Sequence, residues 1–413
     1  MLRKFLDHYF KDLPREVAVL TTVAFCVALG FGIVAPVIPV FAKSFGVSAF
    51  AASAVVSVFA FMRFIGATPA GWFVNIVGER AVLWVGLAIV SVSSALAGMA
   101  QTFDQLLILR GLGGIGSAMF TVSSMSLLLR TVNPAHRGRA TSTYQSGFLL
   151  GGLAGPAVGG VVVGISIRAP FFVYSGTLLL AVCTAYFALP RGLGHPDKDL
   201  TQSDDVSEKM PIREALGLRA YWTALVVNLS TGMTSFGLRS ALLPLFVIQV
   251  LHRSPSTSAY GFLVTSIVQA SLLLPAGRMT DTRGRKPSMI IGSLALVAAM
   301  LCLVLNETLY GFFGAMMFMG LGAAFLGSAP AAVVGDVVGS RRGGAVVATY
   351  QMTSDLGIVA GPLIYGYLTD VTGGFALPFL VGLSVAIAST VMVAFMPETR
   401  VQAQASPSGL HAD

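Results

Sequence analysis

The sequence predicts an all-α membrane protein, with twelve transmembrane helices in two six-helix, pseudo-symmetric halves. Three observations predict it. Of the 413 residues, 55% are hydrophobic and 11% charged, with a mean hydropathy of +0.80, against about 25% charged in an ordinary soluble domain. Twelve apolar runs are each long enough to cross a bilayer, which takes about 20 helical residues. Short motifs recur at one offset, 206 residues. Together these exclude a soluble globular enzyme, a disordered chain and a nucleic-acid binder, despite a net charge of +8 and a pI near 9.6.

The runs, numbered here as spans 1 to 12, are 16–42, 50–73, 81–100, 105–130, 139–165, 169–190, 221–250, 257–279, 287–306, 309–338, 345–369 and 374–396. Span 1 follows Arg3, Lys4, Lys11 and Arg15 like a signal peptide. Its apolar stretch exceeds the 7–15 residues of such a segment, so it reads as a helix. Forty-six glycines and 19 prolines fit helices that approach closely in lipid. Residues 1–190 form the first half, 191–220 a polar linker, 221–400 the second half, and 401–413 a polar, disordered tail.

Orientation follows from Lys and Arg. With the N-terminus inside, the inner segments hold 20 of the 26 basic residues, and the outer loops only Lys43, Arg168 and Arg253. Both termini and the linker are therefore expected in the cytoplasm, in a multi-pass protein of the cell (inner) membrane. The net positive charge is mostly this bias.

The repeat is visible residue by residue. Gly71 and Gly78 return as Gly277 and Gly284, Thr143-Tyr144-Gln145 as Thr349-Tyr350-Gln351, and Gly151, Gly155 and Pro156 as Gly357, Gly361 and Pro362. Gly32, Pro39 and Phe41 return as Gly237, Pro244 and Phe246 at an offset of 205. An even number of helices per repeat makes the halves parallel, related by an axis along the membrane normal, with a site between them.

Site chemistry of other kinds is missing from the sequence. Cys26, Cys183 and Cys302 sit singly in three apolar runs, and all five histidines lie in polar segments. No disulfide framework, metal knuckle, nucleotide loop or catalytic triad pattern is present, so no metal, cofactor or enzymatic activity is expected.

Twelve helices in two halves, with these loops, resemble the major facilitator superfamily over nearly the whole chain. The strongest element is Gly277-Arg-Met-Thr-Asp281-Thr-Arg283-Gly284-Arg285-Lys286-Pro287, between spans 8 and 9. It is similar to the family's Gly-x3-Asp-x-Arg-Gly-Arg-Lys loop. The first-half copy keeps Gly71 and Gly78, but Asn75 replaces the acid and Glu79 a base. Gly284 permits a tight turn, and Arg283, Arg285 and Lys286 can anchor on an anionic leaflet. Asp281 can accept hydrogen bonds at a helix N-terminus. The resemblance implies that this helix is span 5, and that the contact latches an outward-open state. The alternative is a basic cluster that only sets topology.

Span 5 carries Gly147, Gly151, Gly155 and Gly159 at intervals of four, with Pro156 and Gly160. That spacing places the glycines on one helix face. The pattern also resembles the signature of the family's drug–proton antiporters, which implies export; generic close packing is the plainer reading. Arg110-x2-Gly113-Gly114-x-Gly116 resembles a second such motif, with Gly113 where a Gln is usual.

Ionisable residues within the spans need an account, because a mid-bilayer charge costs about 2.5–3.5 kcal/mol on insertion scales. Arg63 is central in span 2 and Asp355 ten residues into span 11; each is about 15 Å from the inner surface. Helices 2 and 11 meet in the resembled fold, so an Arg63–Asp355 pair is expected in one conformation, with Arg239 of span 7 as competing partner. Asp355 is the leading proton carrier; satisfaction by Thr353 and Ser354 is the structural alternative. Asp336 lies near the inner end of span 10 and reads as interfacial. The resemblance lines a cavity with helices 1, 4, 7 and 10. That implies substrate contacts from Arg110 and Arg239, favouring an anionic or hydrogen-bond-accepting group, and apolar contacts from Phe25, Phe31, Phe236 and Phe325. Arg110, about 9 Å from the outer end, can instead snorkel. Tyr144, Gln145, Tyr350 and Gln351 are expected at the inner gate.

The reading is a monomeric, proton-coupled transporter that exports small amphipathic compounds by alternating access. Its rivals are a proton-coupled uptake symporter or facilitator for an organic anion, and a non-transporting membrane scaffold or sensor. The orientation has a direct test. A cysteine placed at Ser203 should resist an impermeant thiol reagent in intact cells, and efficient labelling would reverse the topology.

Overall fold

The computed structural model describes residues 14–133, 136–190, 210–339 and 344–399. Most of the expected linker, the C-terminal tail, and Arg341 and Arg342 lie outside the described residues.

The first half contains Arg15–Val34, Ala49–Val77, Glu79–Met99, Phe103–Thr131, Arg137–Ile165 and Ala169–Ala188 as spans 1 to 6. Span 1 stops before Pro36 and resumes as Ile38–Lys43, with Pro39 in its first turn. Proline has no N–H to give the preceding turn, so the helix breaks there. Spans 8, 9, 11 and 12 are Pro255–Thr282, Arg285–Leu305, Gly344–Thr372 and Ala376–Phe395. Span 10 is broken into Leu309–Leu326 and Ala329–Val338.

Span 7 departs from a plain helix. Arg219–Thr231 passes into a π-helical turn, Gly232–Leu238, then Arg239–Ala241, and resumes as Leu243–Gln249 with Pro244 in its first turn. Pro39 and Pro244 thus restart the outer pieces of spans 1 and 7 at repeat-related positions. The π turn carries no simple periodicity signal and was not expected.

Eleven of the expected spans are helices long and apolar enough to cross a membrane. Span 11 is not among the eleven. At 29 residues it is long enough, but Gln351, Ser354 and Asp355 make its first half more polar than its neighbours.

Packing repeats with a shift of six helices. Span 1 packs on 5 and 6, span 3 on 4 and 6, and span 2 on 4; span 7 packs on 11 and 12, span 9 on 10 and 12, and span 8 on 10. The halves meet where span 2 lies on span 11 and span 5 on span 8. These four helices each carry an interior proline, Pro69, Pro156, Pro275 and Pro362. Repeat-related Thr102 and Thr308 cap spans 4 and 10, and Gly78 and Gly284 turn with φ of 90° and 116°.

The glycine row of span 5 faces span 1 of its own half. A Cβ on Gly155 would lie 2.6 Å from the Leu29 carbonyl oxygen and 2.7 Å from the Gly32 Cα. Gly147, Gly151 and Gly159 face Thr21, Phe25 and Ile33 in the same way. Pro156 Cδ fills the place beside Gly32, as Pro362 Cδ does beside Gly237. Gly160 alone of this group meets the other half, at the Tyr260 ring of span 8.

This geometry separates adjacent glycines. Gly155→Ala overpacks a backbone-to-backbone contact and should destabilise by about 1–3 kcal/mol. Gly152→Ala, where a Cβ meets nothing within 4 Å, should be neutral or gain about 0.4–1 kcal/mol. Thermal unfolding of the two purified variants distinguishes them.

Candidate functional site

The helix bundle has two ends. The near end carries the 2–3 and 8–9 loops, and the far end carries the 1–2, 7–8 and 11–12 turns.

A polar seam joins span 2 to span 11. The expected ion pair is formed: Arg63 Nη2 donates to Asp355 Oδ1 at 2.7 Å. The side chains are 36% and 29% exposed, so both reach open space at the junction of the halves. Thr353 donates to Tyr350 O at 2.7 Å rather than to Asp355. Farther out, Ser57 Oγ donates to Val359 O at 2.7 Å, and Gly366 packs on Ala49, Phe50 and Ser53. At the far end Asp370 accepts the Ala49 N–H at Oδ1 and the Phe50 N–H at Oδ2, each at 2.8 Å. A carboxylate on the first N–H groups of a helix satisfies orphan donors and the positive end of its dipole. Span 11 thereby closes the far end of span 2. Asp370 gave no expectation from sequence, because an acid at a helix end is common and its partner is 320 residues away.

The repeat-related seam has no such charges. The positions matching Arg63, Asp355 and Asp370 hold Gln269, Leu149 and Gly164. Spans 5 and 8 meet through Tyr260 on Gly160 and through Ser266 Oγ donating to Gly152 O at 3.3 Å.

The expected substrate residues divide. Arg110 is 3% exposed, with its guanidinium over the Phe59 ring at 4.3 Å. It is sealed inside the first half and faces no open space, contrary to the expectation. Neither does it snorkel, because Phe59 of span 2 offers a π face within the bundle. Arg239 is half-buried beside the rings of Phe262, at 5.1 Å, and Phe236, at 5.7 Å; it does not pair with Asp355. Phe31 and Phe236 are 40% and 45% exposed at positions 205 residues apart. Phe325 is buried against Gly292 of span 9, and Phe25 packs on the core. Phe325 is thus closed off by packing, while Phe25 stays half-buried.

At the near end, Asp281 is 76% exposed and pairs with Arg285 at 3.2 Å. It does not sit on the N-terminus of span 5. Arg285 also pairs with Asp336 at 3.0 Å, so its guanidinium is shared by two carboxylates, while Arg283 is exposed. Asp336 is accordingly a partner, not merely interfacial. Glu398, just after span 12, accepts the Arg285 and Lys286 N–H groups at 2.8 and 3.0 Å. Its carboxylate stands where a side chain on Gly284 would project. A Cβ on Gly71 or Gly277 meets nothing within 4 Å, and Trp72, Ile76 and Leu274 are exposed. At these positions the near ends of spans 2 and 8 are left uncovered by the described residues.

The degraded first-half loop hides an inverted pair. Glu79, 5% exposed, takes Arg130 Nη1 at 3.2 Å on each oxygen and Ser126 Oγ at 3.1 Å. Glu79 is repeat-related to Arg285, and Arg130 to Asp336, at 206 residues. Each half thus ties the start of its third helix to the end of its fourth, with the signs exchanged. Applying the offset to charged residues, and not only to glycines, would have found it.

The comparisons with known proteins agree with this architecture. A family model described as Major Facilitator Superfamily matches residues 20–268 and 229–411. The chain belongs to the Major Facilitator Superfamily. It is 24% identical over 396 residues to the quinolone resistance protein NorA of Staphylococcus aureus, covering 94% of this chain and 98% of that one. It is 26% identical over 383 residues to multidrug resistance protein 1 of Bacillus subtilis, covering 90% and 95%. Its fold is similar to a bacterial homolog of the human lysosomal transporter Spinster, inward-facing and unoccupied, with a TM-score of 0.69 at 16% identity over 92% and 94% of the chains. The chain is a multi-pass membrane transporter, and its family and structural neighbours are transporters, not enzymes.

In this Major Facilitator member the expected tyrosine gate is not present in the open near end. Tyr144 is 2% and Tyr350 7% exposed. Tyr144 packs edge-on against Phe148 at 5.3 Å, and the Tyr350 carbonyl accepts Asn228 Nδ2 at 2.7 Å. Both side chains are buried, leaving Gln145 and Gln351 exposed.

The inverted pair can be tested by exchange. Glu79→Arg alone buries like charges together and should cost roughly 3–5 kcal/mol, the range for breaking a buried pair. Glu79→Arg with Arg130→Glu recreates the second-half order and should recover most of the thermal stability. No recovery would mean that the order is fixed by surroundings other than the pair.

Proposed function

We propose that the chain is a proton-coupled antiporter that exports small amphipathic compounds by alternating access, as a monomer with both termini in the cytoplasm. The observation that carries the coupling is the Arg63–Asp355 pair, which bridges the halves at mid-depth. Asp355 is the carboxylate that we assign to the proton: parting of spans 2 and 11 takes Arg63 away from it, and the proton takes that place. The near end becomes the cytoplasmic side, and the open near end with the Asp370-closed far end becomes the inward-open state. The Asp281 latch belongs to the opposite state, in which the near ends of spans 5 and 8 approach.

Export is supported by the glycine row of span 5 and by two relatives named for quinolone resistance and multidrug resistance. The second reading, uptake of an organic anion, is favoured by Arg239, which has no acidic partner among the described residues. The direction of pH-driven movement in oriented proteoliposomes separates the two.

Asp355→Asn keeps the shape of the side chain and removes its titration. It should abolish transport driven by a pH gradient while retaining substrate binding and gradient-independent exchange. Undiminished pH-driven transport by this variant, at equal protein density, would remove Asp355 from the coupling step.

A further inference from the structure

We infer that Arg239 is the anion contact of a substrate site between the halves, and that its substrates are aromatic amphipaths bearing one carboxylate or sulfonate. The inference rests on the reading of the chain as a carrier of small amphipathic compounds and names their class.

The argument begins with charge. Three arginines and one aspartate lie deep in the spans: Arg63, Arg110, Arg239 and Asp355. Asp355 is held by Arg63 at 2.7 Å, so it neutralises neither of the other two. Arg110 is 3% exposed and covered by Phe59, beyond the reach of a solute. Arg239 remains: like Arg110 it has a buried Nε without a hydrogen-bond partner and no ion pair among the described residues, but its side chain is only half-buried. An isolated cation inside a membrane protein is costly and characteristically marks a substrate or ion pathway.

Its place in the fold fits a solute site. Span 7 is the most enclosed of the eleven candidate spans, with 78% of its apolar window buried. The turn Arg239–Ala241 contacts span 2 and Ile38–Lys43, both in the opposite half, so Arg239 stands at the junction that alternating access opens and closes. The π-helical turn immediately before it, Gly232–Leu238, interrupts the helix at the same level; such turns concentrate at functional sites.

The chemistry of the surroundings selects the ligand. The rings of Phe262 and Phe236 lie 5.1 and 5.7 Å from the guanidinium carbon. An aromatic ring supplies a π face but no acceptor in the plane of the N–H fork. The N–H edge still needs oxygens, and a planar oxyanion meets it with two parallel hydrogen bonds. Phe236, 45% exposed, and its repeat mate Phe31, 40% exposed, supply apolar contact for the rest of the solute. A lone cation with aromatic neighbours disfavours quaternary ammonium solutes through like-charge repulsion.

The test is equilibrium binding to the full-length protein in nanodiscs of neutral lipid, with dansylglycine and its uncharged methyl ester as probes. The acid should bind about tenfold or more tightly than the ester. Arg239→Gln should bring the ratio to about one, Arg239→Lys should keep part of the preference, and Phe236→Leu should weaken both probes by similar factors. Thermal midpoints verify that each variant is folded; Arg239→Gln should unfold no earlier than the parent, because it removes an unpaired charge. Equal binding of acid and ester by the parent, an unchanged ratio in Arg239→Gln, or no binding of either probe at about 1 mM, the weak limit of specific recognition, would each overturn the inference. Binding is measured without a gradient. Acid-selective binding without pH-driven export would therefore sink the antiporter reading and leave this one standing.

Discussion

A charge in a low-dielectric interior must find an opposite charge, a π face, water or a ligand, and that constraint organises this transporter. Arg63 finds Asp355 across the halves, Glu79 finds Arg130, and Arg285 finds Asp336. Arg110 finds the Phe59 ring within the first half. Each solution fixes the relative position of two helices, so the charges act as registers as much as attractions. Arg239 has ring neighbours too, Phe262 and Phe236, and no acidic partner among the described residues, but unlike Arg110 it is only half-buried, and the substrate reading follows from that difference.

Close backbone packing supplies the rigidity against which these charges work. Lipid tails are as apolar as leucine, so helices in a membrane gain from close contact more than from burial. Gly151 and Gly155 bring span 5 onto span 1, and Gly357 and Gly361 bring span 11 onto span 7. Within each half, little room is left for relative movement. The seams between halves are different in kind. Span 2 meets span 11 through hydrogen bonds that can be exchanged, from Asp355 to Asp370, whereas span 5 meets span 8 through a tyrosine ring and one long hydrogen bond. A repeated scaffold thus carries one polar seam and one plain seam, and the proposed proton coupling rests on that inequality.

Much of this was legible in advance. Hydropathy marks helices because every backbone group in lipid must be satisfied within its own helix. The shared offset of 206 marks the two halves, because repeat-related glycines and prolines occupy the same places in both. Even Arg63 and Asp355 were within reach, since equal depth on two helices is a one-dimensional count. The eleventh span shows the limit of hydropathy: the polar residues through which span 11 meets span 2 also lower its apolarity.

Sequence alone determined the class of the protein, its repeat and the depth of its charges, because each of these is a property of position along a helix. The tertiary structure decided which side of each helix a residue faces, and that cannot be counted. It buried Arg110, Phe325, Tyr144 and Tyr350 and left Arg239, Phe31 and Phe236 partly open. It joined Asp370 to the first turn of span 2, and Glu398 to the first turn of span 9, across more than 100 residues. Facing is set by the rotation and crossing of packed helices, and a π turn in span 7 changes that rotation without a periodic trace in the sequence.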